Sequence, residues 1–229
     1  MDLRPLRRRD FRLLYAAQSV SFLGTMVTYV ALPWQMYALT QSSFAVGALG
    51  VVELVPLLLT AFVGGALADW MDRRRLVIAT EIGLMAGCLV LMANAARAEP
   101  SVAVLYLAAG LMSAFNGLQR PSLDAMPPRL VPPDEIPAVA ALGALRGSLG
   151  MIVGPAIGGV LVGTAGAVAA FGVDAASFLA SLVCFVAMRS IPPRDDAEAP
   201  TWRSIVEGFR YARSRQEPVS YTHLTLPTN

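Results

Sequence analysis

The chain has 229 residues, of which 55% are apolar and 15% are charged, and its mean hydropathy is +0.57. Ordinary soluble domains are less apolar and more charged, so the composition disfavours a soluble protein and indicates a membrane protein. The net charge of +2 says little by itself, but the positive residues behind it are all arginines, and their positions are informative.

Six segments are long enough to cross a bilayer. A spanning helix needs about 20 mostly apolar residues at a rise of about 1.5 Å each. The segments that meet this requirement are 13–38, 44–68, 76–97, 102–120, 136–163 and 167–189, and their connections are short. We therefore predict an all-α membrane protein whose residues 1–190 form a bundle of six transmembrane helices.

The first apolar segment follows a cluster of arginines, as the apolar core of a secretory signal also does. Its apolar run is longer than that of a signal peptide, and no small-residue cleavage site follows it. We expect a retained span rather than a cleaved signal.

The arginines alternate between the connections. With a cytoplasmic N-terminus, the inner segments carry the N-terminal arginines, then Arg73, Arg74 and Arg75, then Arg120 and Arg129, then Arg189 and Arg194. The outer loops carry only Arg97. Because cytoplasmic loops hold the positive excess, this pattern predicts that both the N-terminus and the end of the sixth span lie in the cytoplasm. The absence of lysine and the abundance of alanine suggest a bacterial source, so we expect a protein of the bacterial inner membrane.

The region after the sixth span divides in two. Residues 191–217 begin with a Pro- and Asp-rich linker and continue as an amphipathic segment from Thr201, which is expected to lie on the membrane surface or the cytoplasmic face of the bundle. A short helix of a soluble domain is the alternative. Residues 218–229 differ in composition and resemble translated sequencing adapter, so we expect a non-native tail and assign His223 no function.

The connection between the second and third spans carries a spaced pattern of glycine, acid and base. Its elements are Gly65, Leu67, Ala68, Asp69, Arg73 and Arg74. The pattern resembles the loop signature of the major facilitator superfamily, G-x-L-A-D-R-x-G-R-K-x, with Trp70 and Asp72 as departures. The resemblance implies that Asp69 pairs with basic loop residues and with a helix of the other half, which latches one conformation. Simple anchoring by positive charge is the alternative.

The fifth span carries a glycine ridge. Gly143, Gly147, Gly150, Gly154 and Gly158 fall on one narrow stripe at 100° per residue, which predicts close helix packing. Pro155 is expected to kink the helix. Gly150, Gly154, Pro155, Gly158 and Gly159 resemble the G-x-x-x-G-P-x-x-G-G signature of superfamily antiporters and drug exporters, which implies export.

Three further stretches resemble one branch of that superfamily, the enterobactin-exporter-like and multidrug-exporter branch. They are residues 31–35, 119–132 and 205–211. The resemblance implies that the chain is the N-terminal half of a twelve-span transporter fold, built from two related halves. A missing C-terminal six-span half, membrane lipid and a small-molecule substrate are then the expected partners, and no nucleic acid is expected.

Polar residues within spans are the candidates for ion coupling or substrate contact, because an ionisable group at bilayer depth is costly. Glu53 lies near mid-depth, and Arg146 is the nearest buried cation by depth, so the two are predicted to pair or to act in coupling. Gln18 and Thr25 lie on one polar stripe of span one, and Asn116 and Arg120 on one of span four. Interhelical hydrogen bonding is the alternative for the neutral residues.

The remaining intramembrane polar residues are given structural roles. Asp174, near the outer end of span six, is expected to be a packing or capping group. Cys88 and Cys184 lie in apolar stretches and are expected to behave as small hydrophobic residues.

The sequence contains no nucleotide-binding loop, metal-ligand cluster or catalytic nucleophile with a base, so we expect no enzyme and no cofactor or metal. The favoured function is a secondary transporter that exports a drug-like or siderophore-like small molecule by alternating access, driven by an ion gradient, with protons as the expected ion. The alternatives are a non-transporting membrane partner or sensor, and uptake rather than export.

Overall fold

A computed structural model describes residues 2–192, and within this range the chain is helical without strands. The elements are α1 (Arg9–Thr40), α2 (Ser43–Trp70), α3 (Arg73–Ala95), α4 (Val102–Ala125), the short α5 (Pro127–Leu130) and α6 (Ile136–Ala187), with 3-10 turns at Arg4–Arg7 and Pro133–Glu135. The predicted amphipathic segment from Thr201 and the tail 218–229 lie outside the described residues.

In this part of the chain, five helices are long and apolar enough to cross a membrane. The fifth, α6, has 52 residues and contains one non-helical residue, Gly166, with φ 78° and ψ 177°. Residues other than glycine rarely adopt this backbone conformation, so glycine is required at this position. Gly166 divides α6 into a first arm, 136–165, and a second arm, 167–187.

The two arms of α6 run in opposite directions. Glu135, just before the first arm, accepts a hydrogen bond of 3.0 Å from Arg8, and the carbonyl of Ala187 at the end of the second arm accepts one of 2.9 Å from Arg9. Both ends of α6 therefore lie beside the start of α1, so the helix turns back at Gly166. We call this end of the bundle, which also holds the connections at 71–72 and 126–135, the arginine end.

The outside of the bundle is strongly apolar along α2 and the first arm of α6. Large exposed side chains include Val51, Leu54, Val55, Leu58 and Leu59 on α2, and Leu149, Met151, Ile152 and Val160 on the first arm. Water-soluble monomers rarely expose a contiguous apolar surface of this kind. The surface suits lipid or other membrane helices.

Helix α1 lies against both arms of α6. A Cβ at Gly24 would come within 2.6 Å of the Asp174 carboxyl on the second arm, so α1 approaches this arm closely. On the first arm, a Cβ at Gly150 would lie 2.3 Å from the Phe22 ring, and one at Gly154 would lie 2.3 Å from Met26 Cβ. Together, these contacts make the packing of α1 on α6 the most extensive between helices of the described bundle.

The predicted glycine ridge is confirmed in part. Gly150, Gly154 and Gly158 pack against α1, and a Cβ at Gly158 would lie 3.1 Å from Val27 Cα. At Gly143 and Gly147, by contrast, no atom of the described chain lies within 4 Å of a Cβ position. For these two, close packing is not found within the described chain, because α1 contacts only the more distant part of the ridge.

We expect Gly154→Ala to lower the free energy of unfolding by about 1–3 kcal/mol, because the new methyl group would collide with Met26 Cβ, which cannot move without its backbone. Gly159→Ala is the matched control, since its Cβ would meet no atom within 4 Å. Thermal unfolding of the purified chain in detergent, followed by circular dichroism, measures both. Equal stability of the two variants would contradict the packing described here.

Candidate functional site

A cavity of about 470 Å³ lies among α1, α2 and α4. We call it the central cavity. Its wall includes Thr25, Glu53 and Asn116, so the structure brings three of the predicted candidates together. The other lining residues are mainly hydroxyl-bearing or apolar, among them Thr28, Tyr29, Leu32, Leu49, Met112 and Ser113. The cavity is therefore amphiphilic, and its lining contains one carboxyl and no basic side chain.

Glu53 holds its place in the wall through its backbone. The Ser113 hydroxyl on α4 donates a hydrogen bond of 2.6 Å to the Glu53 carbonyl oxygen, which ties α2 to α4 at this level. The Glu53 side chain is half-buried, and among residues 2–192 no cation lies within ion-pair distance of its carboxyl. A carboxyl in this setting is able to bind a proton or a cationic group from the cavity.

Arg146 lies elsewhere. It lines a smaller cavity of about 150 Å³ towards the arginine end, together with Tyr15, Gln18 and Asp124, and its guanidinium donates a hydrogen bond to the Gln18 side-chain oxygen. The structure therefore does not form the predicted pair with Glu53. Gln18 and Thr25 are seven residues apart on α1, or about 10 Å along the helix. Arg146, which lies beside Gln18, and Glu53, which shares the central cavity with Thr25, are therefore at different depths.

Arg120 is also outside the central cavity lining. It is 78% exposed and pairs at 3.5 Å with Asp124, four residues further along α4. Exposed pairs of this kind contribute little to stability. Of the six predicted coupling or substrate candidates, three thus meet in the central cavity, two meet at the smaller cavity, and Arg120 lies on the surface.

The loop between α2 and α3 is held at the arginine end by its bases. Arg73, whose side chain is 8% exposed, lies 3.3 Å from the Asp69 carboxyl, which is 83% exposed. Arg74 donates hydrogen bonds of 2.7 Å to the Phe185 carbonyl and 2.6 Å to the Val186 carbonyl. These carbonyls belong to the last turn of α6, where a cation is favourable. Arg74 therefore fastens the loop to the second arm.

Asp72, a departure from the family pattern, has a clear local role. Its carboxyl accepts hydrogen bonds from the backbone N–H groups of Arg74 and Arg75, so it caps the start of α3, and it also accepts one from the Ser190 hydroxyl. Burial acts to raise the pKa of Asp72, but the hydrogen bonds from Ser190 and the backbone outweigh burial and hold this pKa below its usual value. Where the family pattern has glycine, this chain thus has an aspartate that caps α3.

Helices α2 and α4 contact each other closely at Gly64, the residue before the predicted motif residue Gly65. A Cβ at Gly64 would lie 2.6 Å from the Leu118 carbonyl oxygen, and one at Gly117 would lie 2.6 Å from the Leu57 carbonyl oxygen. Gly65 and Gly159, both part of the predicted motifs, have no atom of the described chain within 4 Å of a Cβ position. The faces on which these two lie are thus open in the described bundle.

A second group of acidic residues lies inside the packed bundle; sequence reasoning gave Asp174 a packing or capping role and missed Glu81. Glu81 on α3 is 2% exposed and accepts a hydrogen bond of 2.6 Å from Gln119 on α4. Asp174 on the second arm is fully buried and accepts hydrogen bonds from Ser177 and from the Cys88 thiol. Cys88 is therefore more than a small hydrophobic residue. The signal for Glu81 was present, since it is an acid within an apolar segment.

Comparison with known proteins identifies the chain. The family described as transmembrane secretion effector matches residues 1–221. The chain is 28% identical over 201 residues to the enterobactin exporter EntS of Shigella boydii serotype 18 and to that of Escherichia coli O1:K1, and the match covers 88% of this chain and 48% of each relative. It thus spans about half the length of the curated relatives it matches.

A solved structure has the same fold. The crystal structure of a mutant of the peptide transporter POT in complex with alafosfalin matches with a TM-score of 0.64 and 20% identity, covering 88% of this chain and 44% of that one. The relatives are transporters and not enzymes, and they support a multi-pass protein of the bacterial inner membrane. The chain belongs to the transmembrane secretion effector family, within the major facilitator superfamily of transporters.

Proposed function

We propose that this chain forms the N-terminal six-span half of a secondary exporter, in which Glu53 binds the coupling proton in the central cavity. The observation that carries the proposal is the position of Glu53. Its carboxyl shares one cavity wall with Thr25 and Asn116 and has no cation within ion-pair distance in the described chain. A carboxyl without a fixed counter-ion can exchange a proton for a cationic or polar substrate group.

The six-span topology is supported by the course of α6. A helix of 52 residues is about 78 Å long at 1.5 Å per residue, more than twice the hydrocarbon thickness of a bilayer. Because its two arms run in opposite directions, we infer that each arm crosses once. The arginine end then faces the cytoplasm, since the positive excess of the connections gathers there.

A second half is proposed to cover the open faces of α2 and the first arm of α6. These faces carry exposed apolar side chains, and Gly65 and Gly159 on the same two elements have room for a close neighbour. Small residues at helix interfaces let membrane helices approach closely. The central cavity would then lie between two halves that open it alternately to each side of the membrane.

The cavity lining favours an amphiphilic substrate. Hydroxyl and amide groups of Thr25, Tyr29, Ser113 and Asn116 can hydrogen-bond a polar compound, while Leu32, Leu49 and Met112 provide apolar contact. A drug-like or siderophore-like molecule fits this chemistry, and the relatives are named enterobactin exporters. The Arg146 and Gln18 pair, nearer the arginine end, is proposed as an additional contact on the substrate path.

Asp69 is proposed to latch one conformation. Its partner Arg73 is almost fully buried and Arg74 is bound to the end of α6, so the bases of the loop are fixed in place. The Asp69 carboxyl is 83% exposed and therefore remains accessible to a second partner. A helix N-terminus of the other half is the proposed partner, because its unpaired N–H groups favour a carboxylate.

The coupling role of Glu53 is testable in the native gene product that contains this chain, reconstituted into liposomes. We expect Glu53→Gln to reduce proton-gradient-driven transport of enterobactin or of the cationic dye ethidium by about tenfold or more, because the amide binds no proton. Glu99→Gln, at an exposed position outside the spans, is the matched control and keeps the wild-type rate. Unchanged transport by Glu53→Gln would overturn the assignment, and wild type that moves neither probe would contradict the proposed function.

If Asp69 is a latch, its substitution should slow transport but have little effect on the stability of the fold. We expect Asp69→Asn to reduce the same transport rate several-fold while changing thermal stability little, because the carboxyl of Asp69 is 83% exposed and an asparagine oxygen there can still accept the hydrogen bond from Arg73. Asp134→Asn is the control, since Asp134 is 65% exposed and pairs with Arg4 at the same end of the bundle. A rate for Asp69→Asn equal to that of the control would exclude a latch at this position.

A further inference from the structure

Asp174 lies where α1, α3 and the second arm of α6 meet, and it is fully buried. The Ser177 hydroxyl donates at 2.8 Å to the Asp174 backbone carbonyl and also lies 3.2 Å from the carboxyl Oδ1, and Oδ2 accepts a hydrogen bond of 3.2 Å from the Cys88 thiol. The absence of a side chain at Gly24 leaves room for the carboxyl, because a Cβ there would lie 2.6 Å from Oδ1. The site is thus built around the carboxyl by three different helical segments.

The groups that face Asp174 carry no positive charge. Thr28 faces it from α1, Cys88 from α3 and Ser177 from its own arm. The other carboxyl close enough to interact electrostatically is Glu81 on α3. Within residues 2–192, no cation lies in ion-pair distance of Asp174. A permanent charge in such a place would be costly, so a structural ion pair does not explain the residue.

The surroundings accommodate the carboxyl in both protonation states. When ionised, it accepts hydrogen bonds from Ser177 and Cys88. The Thr28 hydroxyl, on a residue that is 7% exposed, lies beside the carboxyl and can donate to its ionised form. When the carboxyl is protonated, the same hydroxyl oxygen can accept its proton in a hydrogen bond.

Thr28 also connects this site with the central cavity. It is part of the cavity wall, on the same helix as Thr25, and it lies between the cavity and Asp174. Asp174 itself is not part of the wall. Thr28 is therefore a residue of the cavity wall whose hydroxyl also lies next to the buried carboxyl.

We propose that Asp174 is a second proton-binding site, separate from Glu53, which exchanges protons with the central cavity through the Thr28 hydroxyl. A hydronium ion in the cavity gives its proton to the Thr28 oxygen while the Thr28 hydroxyl hydrogen passes to the Asp174 carboxylate, and water remains in the cavity. Release follows the same steps in reverse. The use of this proton in transport rests on the proposed function, but proton binding itself does not.

Infrared spectroscopy of the full chain in phospholipid nanodiscs tests proton binding directly. We expect a band from buried protonated carboxyls, part of which Asp174→Asn removes. Glu99→Gln, at an exposed position, removes none of this buried component. A band that Asp174→Asn leaves unchanged would overturn the proposal, whatever the outcome for transport by Glu53→Gln.

The route through Thr28 is tested by hydrogen–deuterium exchange. This measurement also tests proton exchange at Asp174 if Asp174→Asn fails to fold. Thr28→Val keeps the side-chain shape but removes the hydroxyl. We expect it to slow exchange of the Asp174 carboxyl band several-fold after transfer to D₂O, while Thr164→Val, at an exposed helical position, leaves the rate unchanged. Equal exchange rates in the two threonine variants would exclude the Thr28 route.

Discussion

Helix α1 can lie against both arms of α6 only because glycine stands at each crossing. Gly24 admits the side chains of the second arm, and Gly150, Gly154 and Gly158 admit Phe22, Met26 and Val27 from α1. In lipid, the hydrophobic effect does not drive helices together, so close van der Waals contact must supply the association. Elsewhere in the described bundle, α2 packs mainly against α4, and α3 packs against α4 and α6.

The position of α1 also decides where the polar groups meet. Along one helix, Gln18 reaches Arg146, Thr25 faces the central cavity with Glu53, and Thr28 lies between that cavity and Asp174. Since the bilayer core offers no water, each polar group must find its partner on a neighbouring helix or in a cavity. A single helix thus connects three polar sites at successive depths.

The arginine end is fixed by a different kind of contact. Arg74 binds the final carbonyls of α6, Asp72 caps α3 and bonds to Ser190, and Arg8 pairs with Glu135. These bonds join segments that are far apart along the chain, while the opposite end of the bundle has short turns such as that between Asn94 and Ser101. Side-chain bonds between distant segments thus hold the arginine end together.

The helical membrane class, the family and the close packing at Gly150, Gly154 and Gly158 were predictable from the sequence, because apolar length and residue spacing are properties of a single helix. The break at Gly166 lies between two predicted spans for the same reason. Which polar residues meet was not predictable in this way. Arg146 pairs with Gln18 and not with Glu53, and Asp174 and Glu81 lie in the packed interior, because these contacts depend on which helices are neighbours and on their relative depth. Spacing along one helix carries no information on either.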